Sequence, residues 1–101
     1  RLLEQGQADG IVCSDDLTAI LVLQVAAMLK IKVPDKLKVI GYDGTDFMRT
    51  YFPDLTTIVQ PLDDIVMMLV KMLIRRIDNS NQPIDEGDFV LPVSLYRGTT
   101  I

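Results

Sequence analysis

Leu37-Lys38-Val39-Ile40-Gly41-Tyr42-Asp43-Gly44 is the stretch that decides the fold. Its centre, Val39-Ile40, is continuously apolar rather than alternating with polar residues. That is the pattern of a parallel strand covered on both faces. The run stops at Asp43-Gly44-Thr45-Asp46, which is turn chemistry, so an Asp stands at the carboxyl end of the strand. Toward the amino terminus, Val33-Pro34 blocks continuation of a helix. Residues 16–30 before it predict a helix that ends near Lys30. Gly10-Ile11-Val12-Cys13 is a second short apolar run, stopping at Ser14-Asp15-Asp16. That trio reads as a helix cap, with acidic groups at the positive end of the helix dipole. Strand, helix and strand together make a βαβ unit of an α/β fold.

The helix over 16–30 is apolar almost all round: Leu17, Ile20, Leu21, Leu23, Val25, Ala27 and Met28 leave little polar face. Such a helix is buried on more than one side. One side packs on its own sheet, and the other calls for a subunit interface or the interior of a larger domain. Beyond Asp46 an irregular stretch to Pro53-Asp54 carries Phe47, Met48, Tyr51 and Phe52. A solvated connection has no need of so many large apolar groups, so they read as packing against a partner or as a satellite core cluster.

Leu55-Thr56-Thr57-Ile58-Val59 predicts a short strand. Gln60-Pro61 follows, with Pro at the start of a helix running from Leu62 to about Ile77. Ile65, Met68, Leu69, Met72 and Leu73 repeat at the helical period. Asp63 and Asp64 sit in its first turn and Arg75 and Arg76 in its last, as the dipole favours. Residues 78–83 read as a loop. Phe89 to Tyr96 reads as an extended strand, kinked or at an edge where Pro92 removes a donor, and Arg97 to Ile101 as a tail.

Composition narrows the function. The 101 residues are 49% hydrophobic and 24% charged, which suits a globular chain with a core. The chain starts at Arg1 rather than Met, which reads as a piece of something longer. The net charge of −4 disfavours binding to nucleic acid, whose phosphates demand cationic contacts. The tight basic group Lys71, Arg75, Arg76 reads as a solvated helix face. There is no His, and Cys13 stands alone, which excludes an internal disulfide, a Cys–His pair and a His-containing metal site. No signal peptide is visible, and no apolar run is long enough to span a bilayer.

The chemistry left to place is acidic. Asp15-Asp16 and Asp43 both fall at carboxyl ends of strands, where ligands bind in open α/β sheets. Carboxylates there accept hydrogen bonds from the hydroxyls of a polar ligand. They serve equally well as a helix cap and a turn, and local reading leaves both open. A response-regulator receiver needs a Lys at the end of a later strand, and none is visible. Tyr42-Asp43-Gly44-Thr45 lacks the second Asp that a haloacid-dehalogenase-like phosphatase carries two residues away. There is no phosphate-cradling Gly-rich loop and no nucleophile–base pair. No catalytic residue and no cofactor is expected.

Four segments resemble one family in order and spacing. Gly10-Ile11-Val12-Cys13-Ser14-Asp15-Asp16-Leu17-Thr18-Ala19 is similar to the apolar-apolar-Cys/Ala-small-Asn-Asp-x-x-Ala segment of LacI/GalR repressors. Residues 33–43 resemble its VPxDxxVxGYDD segment, residues 53–61 its PxLTTIxQP, and residues 91–100 its closing LPVxLxxRxST. Asp43-Gly44-Thr45 with Tyr51-Phe52-Pro53 is most similar to the sucrose-operon type.

The resemblance implies a periplasmic-binding-protein-like fold: α/β, two Rossmann-like lobes in three α/β/α layers, here a C-terminal fragment. Residues 1–59 would belong to the C-terminal lobe and 60–91 to the N-terminal lobe, with 92–101 returning to the C-terminal lobe and a tail. Asp43 falls on the family's sugar-binding Asp. Asp15 falls where a sugar-contacting Asn is usual, which keeps an acceptor and removes a donor. Gln60 lies at the hinge, where it would join Asp43 and Asp15 as a ligand-binding residue. Ile20, Leu23 and Ala27, with Phe47, Tyr51 and Phe52, fall on the family's dimer interface.

The implied protein is a cytoplasmic repressor of a carbohydrate-utilisation operon. It would be a homodimer with a sugar or phosphosugar effector, and would hold operator DNA through an N-terminal helix-turn-helix outside this chain. The rival is a secreted sugar-binding protein that feeds a transporter. The lone Cys and the Arg97-Gly98-Thr99-Thr100 ending favour the repressor.

Overall fold

A computed structural model describes residues 1–83 and 87–101. Residues 84–86, inside the stretch expected to belong to the N-terminal lobe, lie outside the described residues. The chain divides into two units, Arg1–Gln60 with Ser94–Ile101, and Pro61–Val93.

The first unit is built on the expected strand–helix–strand. β1 (Gly10–Val12) and β2 (Lys38–Asp43) pair in parallel, with α1 (Asp16–Met28) between them in sequence. β3 (Thr57–Val59) pairs in parallel with β2, and β4 (Ser94–Tyr96) closes the order β1-β2-β3-β4 antiparallel to β3. Alternation along β2 turns Val39 and Gly41 inward, both buried. Val39 joins Leu37, Ala19, Ala26, Cys13 and Leu55 in the core, where small alanines let α1 lie close to the sheet. Full burial of Val39 or Leu37 is worth about 1.5–3 kcal/mol each. The opposite face carries half-buried Ile40 and Tyr42 beside Val12, which is 75% exposed.

α1 ends two residues before its expected stop. Leu29 is its C-cap, and Lys30 adopts φ 57. The Lys30 amide donates to Ala27 O at 3.1 Å and the Ile31 amide to Ala26 O at 2.8 Å. These are the paired bonds of a Schellman motif. Ile31 packs against the core, as the residue after the left-handed position of such a motif does. The left-handed turn therefore stops the helix before Pro34 is reached.

Residues 46–51, expected to be irregular, form α2 (Asp46–Tyr51). Thr45 caps it by accepting the Met48 amide at 3.3 Å. One turn apart on this helix, the Phe47 and Tyr51 rings lie 4.6 Å apart between centroids. β3 and β4 are shorter than expected, since Leu55, Thr56 and residues 89–93 lie outside the ladder.

The supposed tail is part of the sheet architecture. The Thr100 carbonyl accepts the Val39 amide at 2.8 Å. The Thr100 hydroxyl donates to Val39 O at 2.7 Å and accepts the Thr56 amide at 3.0 Å. The register Gly41↔Thr57 would bring the Thr56 amide directly to Val39 O if the ladder continued. The hydroxyl relays that bond where the two strands diverge. The Thr99 amide donates to Asp54 O at 2.8 Å and the Gly98 amide to the Thr56 hydroxyl at 3.0 Å, which fixes the rest of the segment.

The second unit centres on α3 (Leu62–Asp78). Pro61 occupies its N-cap, Asp63 and Asp64 its first turn, and Arg75 and Arg76 its last. Asn79 ends it, donating to Arg75 O from both its amide, at 3.0 Å, and its side chain, at 3.1 Å.

Candidate functional site

Asp15 is the N-cap of α1. Its backbone is extended, φ −155 and ψ 169, and its Oδ1 accepts the Thr18 amide at 2.7 Å. That backbone hydrogen bond, more than any other contact, holds the Asp15 carboxyl below the usual carboxylate range. Asp15 is thus an anion at neutral pH.

Asp16, its neighbour, has a different task. It is 3% exposed. Its Oδ2 accepts the Gly44 amide at 2.9 Å and its Oδ1 the Thr57 hydroxyl at 2.5 Å. β2 makes room for it with Gly41: a Cβ there would sit 2.3 Å from Asp16 Oδ1. Of the two adjacent carboxylates, one faces the strand end and the other is spent inside. The sequence gives both the same letter and does not separate them.

Asp43 ends β2 with φ 115, a left-handed value that costs a non-glycine residue about 1–3 kcal/mol. Gly44 follows at φ 60, where a Cβ would meet Val59 Cγ2 at 2.6 Å. Two successive positive φ values bend the chain sharply off the strand. Asp43 Oδ1 accepts Gln60 Nε2 at 2.6 Å, and the Asp43 carbonyl accepts the Gln60 amide at 3.0 Å. Among the described residues Asp43 Oδ2 takes no hydrogen bond, so it is open to a ligand donor.

Asp15, Asp16, Leu17, Asp43, Thr45, Phe47 and Met48 surround a depression of about 450 Å³, to which Asp16 shows only an edge. That size suits a small polar molecule. The structure thus brings Asp15 and Asp43 to one depression, and Gln60 to Asp43 without lining the depression itself. Carboxylates there accept hydrogen bonds from hydroxyl groups. Thr45 is a lining residue that sequence reading missed; its place two residues after Asp43, at a helix cap, was the available signal. Cys13 lies inside, and burial, then the nearby Asp15 charge, pushes its thiol up, away from nucleophilic chemistry.

The expected interface residues divide. Phe47 and Tyr51 are 62% and 66% exposed, and Phe52 is 40% exposed. Ala27 is exposed too, whereas Ile20 and Leu23 are half-buried and packed against the core. The outward apolar stripe of α1 is Leu17, Leu21, Val25 and Met28, at helical spacing.

The family model of the periplasmic binding protein-like domain matches residues 1–101. The chain belongs to the periplasmic binding protein-like domain family. Within this family the chain is 50% identical over 99 residues to a sucrose operon repressor of Pediococcus pentosaceus, covering 98% of the chain and 30% of that protein. The chain therefore spans about a third of the length of that relative. Two solved structures are similar as well. A LacI family transcriptional regulator from Lactobacillus casei with bound sucrose has TM-score 0.73 and 25% identity, covering 92% of this chain and 33% of that one. A periplasmic binding protein/LacI transcriptional regulator from Alkaliphilus metalliredigens, complexed with D-xylulofuranose, has TM-score 0.80 and 27% identity, covering 99% of this chain and 37% of that one. The periplasmic-binding-protein-like fold expected from the four segments is the one observed. No helix among the described residues is long and apolar enough to cross a membrane.

Proposed function

We propose that this chain is part of the effector-sensing domain of a LacI-type repressor of a carbohydrate-utilisation operon, with sucrose or a related sugar or phosphosugar as effector. The observation that carries the reading is the Asp43 carboxylate. It is held by Gln60 on one oxygen and open on the other, and it shares a depression with anionic Asp15. Asp43 and Asp15 accept sugar hydroxyls, and Gln60 supplies a side chain able to donate and accept. The division of the chain at Gln60 and Ser94 supports assigning residues 61–93 to a second lobe. Sugar binding shifts the balance between two arrangements of the whole protein, and so its hold on operator DNA.

Operator DNA is contacted by a helix-turn-helix in the N-terminal part of the whole protein, in the cytoplasm, because this segment is acidic. Phe47, Tyr51 and Phe52 with the outer side of α1 form a homodimer surface, on which large exposed apolar groups gain most from burial. No catalytic step is assigned to the chain. A sugar-binding protein of a transporter has the same fold, but the 50% identity to an operon repressor favours regulation.

The experiment uses the full-length protein. Asp43→Ala abolishes sucrose binding in calorimetry and sucrose-driven release from operator DNA, while operator affinity without sugar is unchanged. Normal release by Asp43→Ala would overturn the assignment.

A further inference from the structure

Three segments deliver the proposed ligand residues: the start of α1 carries Asp15, the end of β2 carries Asp43, and β3 leads to Gln60. One buried side chain touches all three. Asp16 is covalently next to Asp15, accepts the amide of Gly44 next to Asp43, and accepts the hydroxyl of Thr57, three residues before Gln60. We propose that Asp16 is the positioning residue of the sugar site, setting the spacing of Asp15, Asp43 and Gln60 through two oxygens already engaged by Gly44 and Thr57. This rests on the sugar-binding reading of those three residues.

Geometry carries the inference. The Gly44 amide is oriented by the peptide that joins it to Asp43, and Asp43 is in an unfavourable left-handed conformation. A strained residue keeps its conformation only where surrounding contacts over-determine it. Here two residues do so: Asp16 accepts the Gly44 amide, and Gln60 donates to the Asp43 carbonyl and carboxylate. A bond from an amide to a carboxylate is among the stronger hydrogen bonds, more so at 3% exposure, where water does not compete. The space that Gly41 leaves beside Asp16 Oδ1 lets the carboxylate reach in between β2 and β3. A carboxylate that only capped α1 would have no need of that approach, because Asp15 already caps the helix.

Removing the hub loosens three ligand residues together, so affinity falls further than stability alone dictates. The test measures sucrose binding by calorimetry on full-length variants, with urea midpoints recorded alongside. Asp16→Ala weakens sucrose binding about tenfold or more, and Thr57→Val, which frees only the β3 arm, weakens it severalfold. Thr57→Ser restores the hydroxyl and near-normal affinity. Thr100→Val, which destabilises the same sheet without breaking any bond to Asp16, leaves the affinity within about twofold. If Asp16→Ala fails to fold, the contrast of Thr57→Val with Thr57→Ser and Thr100→Val decides.

Normal affinity in Asp16→Ala and Thr57→Val, with binding lost in Asp43→Ala, would overturn the positioning role and leave the sugar site standing. So would an affinity loss in Thr100→Val equal to theirs. Normal sucrose binding by Asp43→Ala would remove the site and the positioning role with it.

Discussion

Replacing Thr100 by Val isolates one hydroxyl in an otherwise unchanged shape. The Thr100 hydroxyl relays a bond from the Thr56 amide to Val39 O, and Val39 and Thr56 are both 0% exposed. Valine fills the same volume and does neither job. It leaves one dry donor and one dry acceptor, each costing about 1–3 kcal/mol, so the total is about 2–6 kcal/mol. Serine keeps both bonds and loses one methyl group, about 1 kcal/mol. Urea unfolding followed by far-UV circular dichroism separates the two, since stability falls about 1–3 kcal/mol per molar urea for a small protein. Thr100→Val lowers the midpoint by roughly 1–3 M and Thr100→Ser by less than about 1 M. Equal midpoints for the two variants would refute the relay and return residues 97–101 to the status of a tail.

Lys30 pays the left-handed penalty at the end of α1, so Lys30→Gly raises stability by about 1 kcal/mol, read as a higher urea midpoint; a lower midpoint would contradict the Schellman assignment. Asp15 titrates lower when folded than when unfolded. Its cap therefore adds stability above the unfolded carboxyl's pKa, and this is lost as pH falls through the lower folded value, below about pH 4. Asp15→Asn, which caps without titrating, flattens that part of the stability–pH curve measured by urea unfolding. An unchanged acid limb would show that the cap does not contribute it.

What was legible in the sequence was whatever depends on neighbours along the chain. The apolar run at Val39-Ile40 with its Asp-Gly turn marked β2, and Asp15 was visible as part of a cap. Asp43 was visible as a strand-end carboxylate, and its bond to Gln60 emerged only when β2 and β3 were set side by side. α2 was missed because six residues are too few for a period to declare itself. The end of α1 was misplaced because a lysine in the left-handed region leaves no compositional mark where a glycine would. Arg97 to Ile101 looked like a tail because its small polar residues act through hydroxyl bonds to partners more than 40 positions away. The stripe facing out from α1 was blurred because that helix is apolar on every side, and only packing shows which side the sheet has taken.

The Thr100 relay also sets a schedule. Val39 meets its hydroxyl partner 61 residues further along the chain. At about 5–20 residues per second, a ribosome needs roughly 3–12 s to supply it. The rest of β2, then α2, β3, α3 and finally β4 are made in that interval. During it, the start of β2 has an unfilled carbonyl and β3 lacks its β4 neighbour. The nascent chain is then an open-edged sheet with exposed apolar helices, a state prone to aggregation. Substitutions that weaken the relay should therefore show first as poor yield during synthesis, ahead of any change in how the finished protein responds to sugar.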